Sequence, residues 1–193
     1  MWNQLLPGFR MTLALTVLTG MIYPGVVTAL CQTLFSAQAN GSLIVRNGRV
    51  VGSALIGQSF ARPEYFHPRP SAAGIDGYDA ASSGGSNLGP TSQKLMDRVK
   101  ATVAKLQAQN PSHQGEWPAD LATASASGLD PHISPAAARM QVERVARSRS
   151  VSIEQVKEML VRFTESRDLG FLGEPRVNVL LLNLELDRVL PTK

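Results

Sequence analysis

A long uncharged stretch near the N-terminus constrains this chain more than any other sequence feature. No charged residue lies between Arg10 and Arg46, and the residues from Met11 to Phe35 are apolar nearly throughout. As a helix, this stretch of 25 residues would be about 37 Å long and would cross a bilayer core of about 30 Å with some tilt. The pattern occurs once. We therefore expect one transmembrane helix at residues 11–35, between a short N-terminal segment at 1–10 and a soluble domain at 36–193.

A cleavable secretory signal is the alternative interpretation of the same stretch. Ala37-Gln38-Ala39 has the small-x-small pattern that signal peptidase prefers. The apolar part of a signal peptide is about 7–15 residues long, and this stretch is longer. The uncleaved anchor is therefore favoured. A binding protein outside the cytoplasm stays open as an alternative function, either anchored by this helix or secreted after cleavage at Ala39.

Small residues inside the predicted helix indicate a docking face. Pro24 removes one backbone hydrogen bond and should bend the helix axis. Two small-xxx-small pairs would let a second helix approach closely: Thr16 with Gly20, and Gly25 with Ala29. We predict that these five residues, called here the small-residue face, dock against another membrane helix, although small residues are common in any membrane helix.

Positive charge around the helix indicates its orientation. Arg10 directly precedes the predicted span, whereas Arg46 and Arg49 follow it only after ten or more residues. Because Lys and Arg favour the cytoplasmic side, we expect a cytoplasmic N-terminus and an extracytoplasmic soluble domain.

Composition excludes several functions for the soluble part. After the helix lie 18 of the 19 Lys and Arg residues and all 15 acidic residues, so its net charge is near +3, too mild for a nucleic-acid footprint. Cys31 is the single cysteine and lies in the helix, which excludes an intramolecular disulfide and a cysteine-rich metal site. The densest basic run does not form one helical stripe, and we interpret it as a solvated face. It comprises Arg139, Arg144, Arg147 and Arg149.

Local signals predict an α+β fold, with one N-terminal transmembrane helix followed by a single mixed α/β domain. Asn47-Gly48 between two β-branched runs predicts a hairpin over residues 43–51. Residues 58–90 are rich in Gly and Pro, and a loop of this length is uncommon unless it is functional. Residues 177–182 resemble a short strand, and 183–190 could be strand or helix. Three further helices have cap signals. The first begins after Thr91 or Ser92 and ends near Gln109. The second begins at Ser134-Pro135, and the third begins at Ser152 with a capping box to Gln155.

Two short patterns suggest catalytic or nucleotide sites without completing them. Residues 84–91 have the glycine spacing of a P-loop, but Pro90 occupies the place of the phosphate-binding lysine, so a turn before a capped helix is favoured. Ser127 with Asp130 and His132 could belong to a small hydrolase. No base is evidently held against the serine, and this alternative is less favoured.

A proline-stiffened loop has the composition of an interface anchor. Tyr65, Phe66, His67 and Arg69 lie there next to Pro68 and Pro70. Exposed aromatic and Arg side chains often anchor protein interfaces. We predict a partner-facing loop, with aromatics buried beneath the loop as an equal alternative.

Five motifs taken together resemble a known family over essentially the whole chain. They are GQxF at 57–60, YFHPRPSA at 65–72, SGGSNLGP at 83–90, TASASGLDPHISP at 123–135 and VNVL at 177–180. These strings resemble the KdpC family, the C subunits of the bacterial high-affinity potassium-transporting P-type ATPase.

This resemblance implies a role as a non-catalytic accessory subunit of the bacterial inner membrane. Its implied partners are the potassium-conducting subunit KdpA, the ATP-hydrolysing subunit KdpB and the small subunit KdpF. The family has been viewed as a catalytic chaperone that raises the affinity of the ATPase subunit for ATP. The resemblance thus implies no tightly bound cofactor, with ATP reached only through that partner.

The resemblance also assigns a candidate nucleotide segment. Ser83-Gly84-Gly85-Ser86 is similar to the Ser-Gly-Gly signature by which ABC transporters contact ATP, with Ser86 where that signature has glutamine. A domain outside the cytoplasm would meet almost no ATP. In that orientation the soluble domain would instead cap the outer mouth of the potassium-conducting subunit, with residues 58–90 as its docking surface.

Overall fold

The computed structural model describes residues 2–111 and 113–191. The chain divides into two compact units, Met1–Val51 and Gly52–Lys193. Within the described residues, one helix is long and apolar enough to cross a membrane. It consists of α1 (Trp2–Val17), a π-helical segment (Leu18–Ile22) and α2 (Tyr23–Leu34). Its 33 residues span about 50 Å. The helix begins at Trp2, well before the predicted start of the membrane span at Met11.

The π-helical segment lies directly before Pro24. The Tyr23 N–H donates to the Leu18 carbonyl, five residues earlier, instead of four. Proline cannot donate a backbone hydrogen bond, and a widened turn of this kind adds one residue to the helix and changes which residues share a face. The disturbance predicted at Pro24 therefore includes a change of helical register ahead of it.

A short hairpin follows the helix. After α3 (Ser36–Ala39), strand β1 (Leu43–Arg46) pairs with β2 (Arg49–Ser53). The turn residues Asn47 and Gly48 have φ of +52° and +75°, as the two-residue hairpin turn requires. The predicted hairpin is confirmed.

The second unit is a small α+β domain. Strands β3 (His132–Ile133), β4 (Thr164–Glu165) and β5 (Arg176–Asn178) form an antiparallel sheet in the order β3-β5-β4, with Val177 of β5 opposite Ile133 and Thr164. The predicted fold class is confirmed. The helices of this unit are α4 (Gln93–Gln109), α5 (Ala119–Ala122), α6 (Pro135–Arg149), α7 (Ile153–Arg162) and α8 (Val179–Val189).

Capping side chains set the starts of α6, α7 and α8, whereas Ser92, directly before α4, makes no side-chain capping hydrogen bond. Ser134 accepts from the Ala137 N–H at the start of α6, and Ser152 with Gln155 forms the predicted capping box of α7. The predicted strand over 177–182 is wrong beyond residue 178. The Asn178 side chain accepts from the Leu181 N–H and caps α8, and of the two alternatives for 183–190, the helix is correct.

The core lies where α6, α7 and α8 pack around β5. Apolar side chains from all four elements are completely or almost completely buried, and so is the ring of Phe66 from the long loop. The long loop therefore contributes a side chain to the hydrophobic core. The largest fully buried apolar side chains are Phe66, Val145, Val156, Val177, Val179, Leu182 and Leu186.

Candidate functional site

The small-residue face is exposed along its whole length. All five of its residues are exposed, and a Cβ atom added at Gly20 or Gly25 would meet no heavy atom within 4 Å. In an uninterrupted helix, Gly25 would lie about 140° around the axis from Gly20. The extra residue of the π-helical segment removes up to about 100° of this angle. The two small-residue pairs can thus share one side of the helix, where their docking to a second helix stays a prediction.

In the second unit, polar side chains hold residues 62–67 of the long loop, called here the clamped segment. The Phe66 N–H donates to Asn183 Oδ1 and the Phe66 carbonyl accepts from Asn183 Nδ2, both at 2.9 Å. Gln141 binds the backbone of His67 in the same two-sided manner, at 2.7 and 3.1 Å. Both amide side chains are buried, with 1% of their surface exposed. Two neighbouring peptide groups are thus held as if by a partner strand.

Two arginines of α6 complete this attachment. Arg144 donates to the carbonyls of Pro63 and Tyr65. Arg149 donates to the Glu64 carbonyl at 2.7 Å and pairs with Asp187 at 2.8 Å. Burial lowers the pKa of Arg144 to about 10, still far above neutral pH, so the side chain keeps its charge.

The prediction of a solvated basic face is therefore wrong for two of its four arginines. Arg144 and Arg149 are buried, because loop carbonyls and one carboxylate replace their water. Arg139 and Arg147 are exposed as predicted. The loop carbonyls that bind the buried pair lie 79 and 85 residues away in sequence, and a helical-wheel argument cannot reveal such partners.

The four residues predicted to face a partner have different surroundings. Phe66 is completely buried, so for this residue the alternative of a buried aromatic is correct. The Tyr65 ring has the guanidinium groups of Arg62 and Arg149 at 5.1 Å each. Tyr65, His67 and Arg69 keep part of their surface, and their contact with a partner stays a prediction.

His67 and Arg69 are also tied to the domain. Burial, followed by the nearby charges of Arg144 and Lys105, lowers the pKa of His67. Arg69 pairs with Asp130 at 2.9 Å. Burial alone would raise the pKa of Asp130, but hydrogen bonds from His132, together with Arg69, lower it.

The Ser127–Asp130–His132 alternative gains no catalytic geometry. Ser127 Oγ accepts from the Leu129 N–H, and Asp130 accepts from the His132 N–H. Within the described residues, no hydrogen bond joins Ser127 to His132, so the side chains serve the local turns. No cluster of three or more His, Cys, Asp or Glu able to hold a metal occurs in the described parts of the chain.

The segment Ser83–Ser86 packs against the 123–135 motif. The Gly84 N–H donates to the Ser127 carbonyl at 2.8 Å, and the Ser83 hydroxyl donates to the same oxygen at 3.1 Å. A Cβ atom at Gly85 would come within 2.9 Å of the Ala126 carbonyl oxygen. The glycines thus permit close packing of two chain segments, and a contact with nucleotide stays a prediction.

An apolar turn between β4 and β5 escaped the sequence analysis. Leu169, Phe171 and Leu172 are 83%, 70% and 48% exposed; we call residues 169–172 the apolar tip. Asp168 and Leu172 exchange two backbone hydrogen bonds at 2.9 Å. The string Leu-Gly-Phe-Leu-Gly between charged residues was the available signal.

Comparison with known proteins identifies the family. A family model described as "KdpC: K+-transporting ATPase, c chain" matches residues 5–188. The chain belongs to the KdpC family. Three proteins named potassium-transporting ATPase KdpC subunit are similar along nearly the whole length of this family member. The relative from Myxococcus xanthus is 57% identical over 189 residues, covering 97% of this chain and 89% of the relative.

The other two relatives show the same extent of similarity. The Gemmatimonas aurantiaca protein is 56% identical over 192 residues, covering 100% of this chain and 96% of the relative. The Koribacter versatilis protein is 54% identical over 192 residues, covering 99% of this chain and 97% of the relative. The resemblance to KdpC found in the five motifs is confirmed, and the single N-terminal apolar helix fits a membrane-anchored member of this family.

Proposed function

We propose that this chain is a non-catalytic accessory subunit that assembles and stabilises a potassium-transporting ATPase. Membership of the KdpC family supports this role. The observation that carries it is the exposed small-residue face, since Gly20 and Gly25 leave space for a second helix. The apolar tip is a second surface suited to docking, because rigid exposed apolar groups are typical of interface centres.

The proposed partners are the other subunits of that complex. The anchor helix would dock in the membrane on KdpA, KdpB or KdpF, with its N-terminus in the cytoplasm. The soluble domain would then lie on the periplasmic or extracellular side of the bacterial inner membrane, over the outer mouth of KdpA. Tyr65, His67 and Arg69 would contribute to its docking surface, in or directly after the clamped segment that Asn183, Gln141 and the two buried arginines hold in place.

We further propose that the chain raises the ATP affinity of KdpB through the assembled complex, without itself holding ATP. The packing of Ser83–Ser86 against Ala126 and Ser127 favours a structural role for these residues. A chaperone effect would then depend on which conformation of KdpB the docked subunit stabilises.

The test combines assembly with topology. Gly20→Leu and Gly25→Leu should reduce co-purification with the transporter. Val27→Phe, which also adds four carbon atoms but elsewhere on the helix, should not. We also fuse to residue 193 a reporter enzyme that works only outside the cytoplasm, and we expect the fusion to be active. Normal recovery of the complex from both glycine variants would contradict docking through the small-residue face. A cytoplasmic reporter would instead permit direct contact with ATP.

A further inference from the structure

We propose that the β1–β2 hairpin lies on the membrane surface, with its apolar face among the headgroups of a bilayer that contains anionic phospholipid. This interaction surface is separate from docking to the other subunits, and it rests only on the membrane span. Three features of the first unit carry the inference: an unpartnered apolar face, the height at which the hairpin begins, and a complete lack of nearby acidic residues.

The apolar face is formed by three side chains. A two-residue turn at Asn47-Gly48 places Val45 opposite Val50, and strand alternation places Leu43 on the same face as Val45. Leu43, Val45 and Val50 are 56%, 61% and 60% exposed. A soluble hairpin gains nothing from three large exposed apolar side chains on one side, and such a patch indicates an interaction surface.

The hairpin begins at the level of the last turn of the membrane helix. Gln32 lies in that turn, and its side-chain amide exchanges two hydrogen bonds with Asn40, at 3.4 and 3.1 Å. Asn40 also donates to the Ser36 carbonyl at 2.7 Å. The chain therefore turns back after Leu34 instead of rising away from the membrane. Only Gly41 and Ser42 separate Asn40 from strand β1, a reach of about 10 Å.

Charge favours lipid over protein as the occupant. The first acidic residue of the chain is Glu64, and all four charged residues before it are arginines. Arg46 and Arg49 flank the hairpin turn and by strand alternation lie on the face of Ile44. Their long side chains can still bring the charge within about 8 Å of anionic headgroups, the screening distance at physiological ionic strength. A protein partner gives no reason to exclude carboxylates, whereas a headgroup layer repels each of them. Apolar side chains combined with Arg are typical of interfacial elements.

The test measures the depth of each face of the hairpin. The full chain, with Cys31→Ser, carries an environment-sensitive fluorophore at Val45→Cys and is reconstituted into vesicles of phosphatidylglycerol and phosphatidylcholine. The matched control carries it at Ile44→Cys, the neighbouring position on the opposite face. Quenching by a nitroxide attached near the lipid headgroup is compared with quenching by aqueous iodide.

We expect lipid quenching several-fold greater at position 45 than at position 44, with iodide quenching lower at position 45. Replacing Arg46 and Arg49 by Glu, or using phosphatidylcholine alone, should reduce the lipid quenching at position 45. Equal iodide access at both positions would overturn the proposal. So would lipid quenching that is independent of anionic lipid. Protection of position 45 only when the other ATPase subunits are present would identify a protein surface as the occupant and also overturn it.

Discussion

Asn183 binds both backbone groups of Phe66, a residue 117 positions earlier in the chain. A side-chain amide can replace a neighbouring strand in this way because it carries one donor and one acceptor at the right separation. Gln141 does the same for His67. A segment without regular secondary structure thereby satisfies its buried peptide groups, which would otherwise carry a large desolvation cost.

Removing either amide should destabilise the soluble domain. Asn183→Ala leaves the Phe66 N–H and carbonyl buried without partners, and we expect a loss of about 3 kcal/mol in the free energy of unfolding. Gln141→Ala should act similarly, whereas Gln107→Ala on the exposed side of α4 should change little. Denaturant unfolding measures all three. Equal stability of Gln141→Ala and Gln107→Ala would contradict the role of the clamp.

Arg149 should matter far more than its neighbour Arg147. Arg149→Met removes a buried cation and leaves Asp187 and two carbonyls without it, with an expected loss of about 3 kcal/mol. Arg147→Met removes an exposed ion pair with Glu143 and should cost no more than about 0.5 kcal/mol. Thermal unfolding of the two variants provides the comparison, and similar melting temperatures would argue against a structural role for the buried arginine.

His67 should make the domain less stable in mild acid. Because burial and nearby positive charge lower its pKa below 6.5 in the folded state, the unfolded chain binds its proton first as pH falls. The stabilisation is complete above about pH 6.5 and declines as pH falls through that value towards the folded pKa. His67→Gln should flatten this part of the stability profile. His113→Gln, in the loop after α4, should retain it; a slope unchanged in His67→Gln would contradict the assignment.

The two glycines of the Ser83–Ser86 segment should respond differently to an added methyl group. Gly85→Ala would bring the new Cβ to 2.9 Å from a backbone oxygen of Ala126, whereas Gly84→Ala meets nothing nearer than 3.9 Å. We expect Gly85→Ala to cost roughly 1–3 kcal/mol and Gly84→Ala to leave the fold intact.

Gly84→Ala also separates packing from nucleotide contact. Measured in the assembled transporter, it should leave the affinity for ATP unchanged if the segment has only a structural role. A clear loss of ATP affinity with normal stability would instead support contact between this segment and nucleotide.

The apolar tip should contribute to assembly without contributing to stability. Phe171→Ser removes a ring that is 70% exposed, so unfolding should change by no more than about 0.5 kcal/mol. Co-purification with the transporter should decrease. Val161→Ser, at a position on α7 that is 74% exposed, serves as the matched control. Equal recovery of the complex with both variants would exclude the tip as a docking surface.

Sequence alone predicted the elements whose signals are local. The hairpin depends on Asn47-Gly48, and the helices α6 and α7 depend on caps at Ser134 and Ser152, each within a few residues of the element that it begins. Helix α8 was misjudged at its start, because an apolar run suits a strand and a buried helix equally. Only the cap at Asn178 distinguishes them.

The attachment of the loop could not be predicted for a different reason. Arg144, Arg149 and Asn183 bind mostly backbone atoms, and every residue carries the same backbone atoms. A sequence therefore contains no complementary side chain that would reveal the partner. Burial of Phe66 could be proposed from its aromatic character, but the amides and guanidinium groups around it required the three-dimensional arrangement.

The position of Asn183 on α8 has a consequence for how the subunit is made. The clamped segment leaves the ribosome long before the helix that fixes it, so its peptide groups stay hydrated until α8 has been synthesised. Closing a loop of this length carries an entropy cost that is recovered only when the late contacts form. A prematurely ended chain would thus keep its membrane anchor and hairpin but lack an ordered surface to present. The order of this loop surface therefore depends on α8, a helix synthesised long after the loop itself.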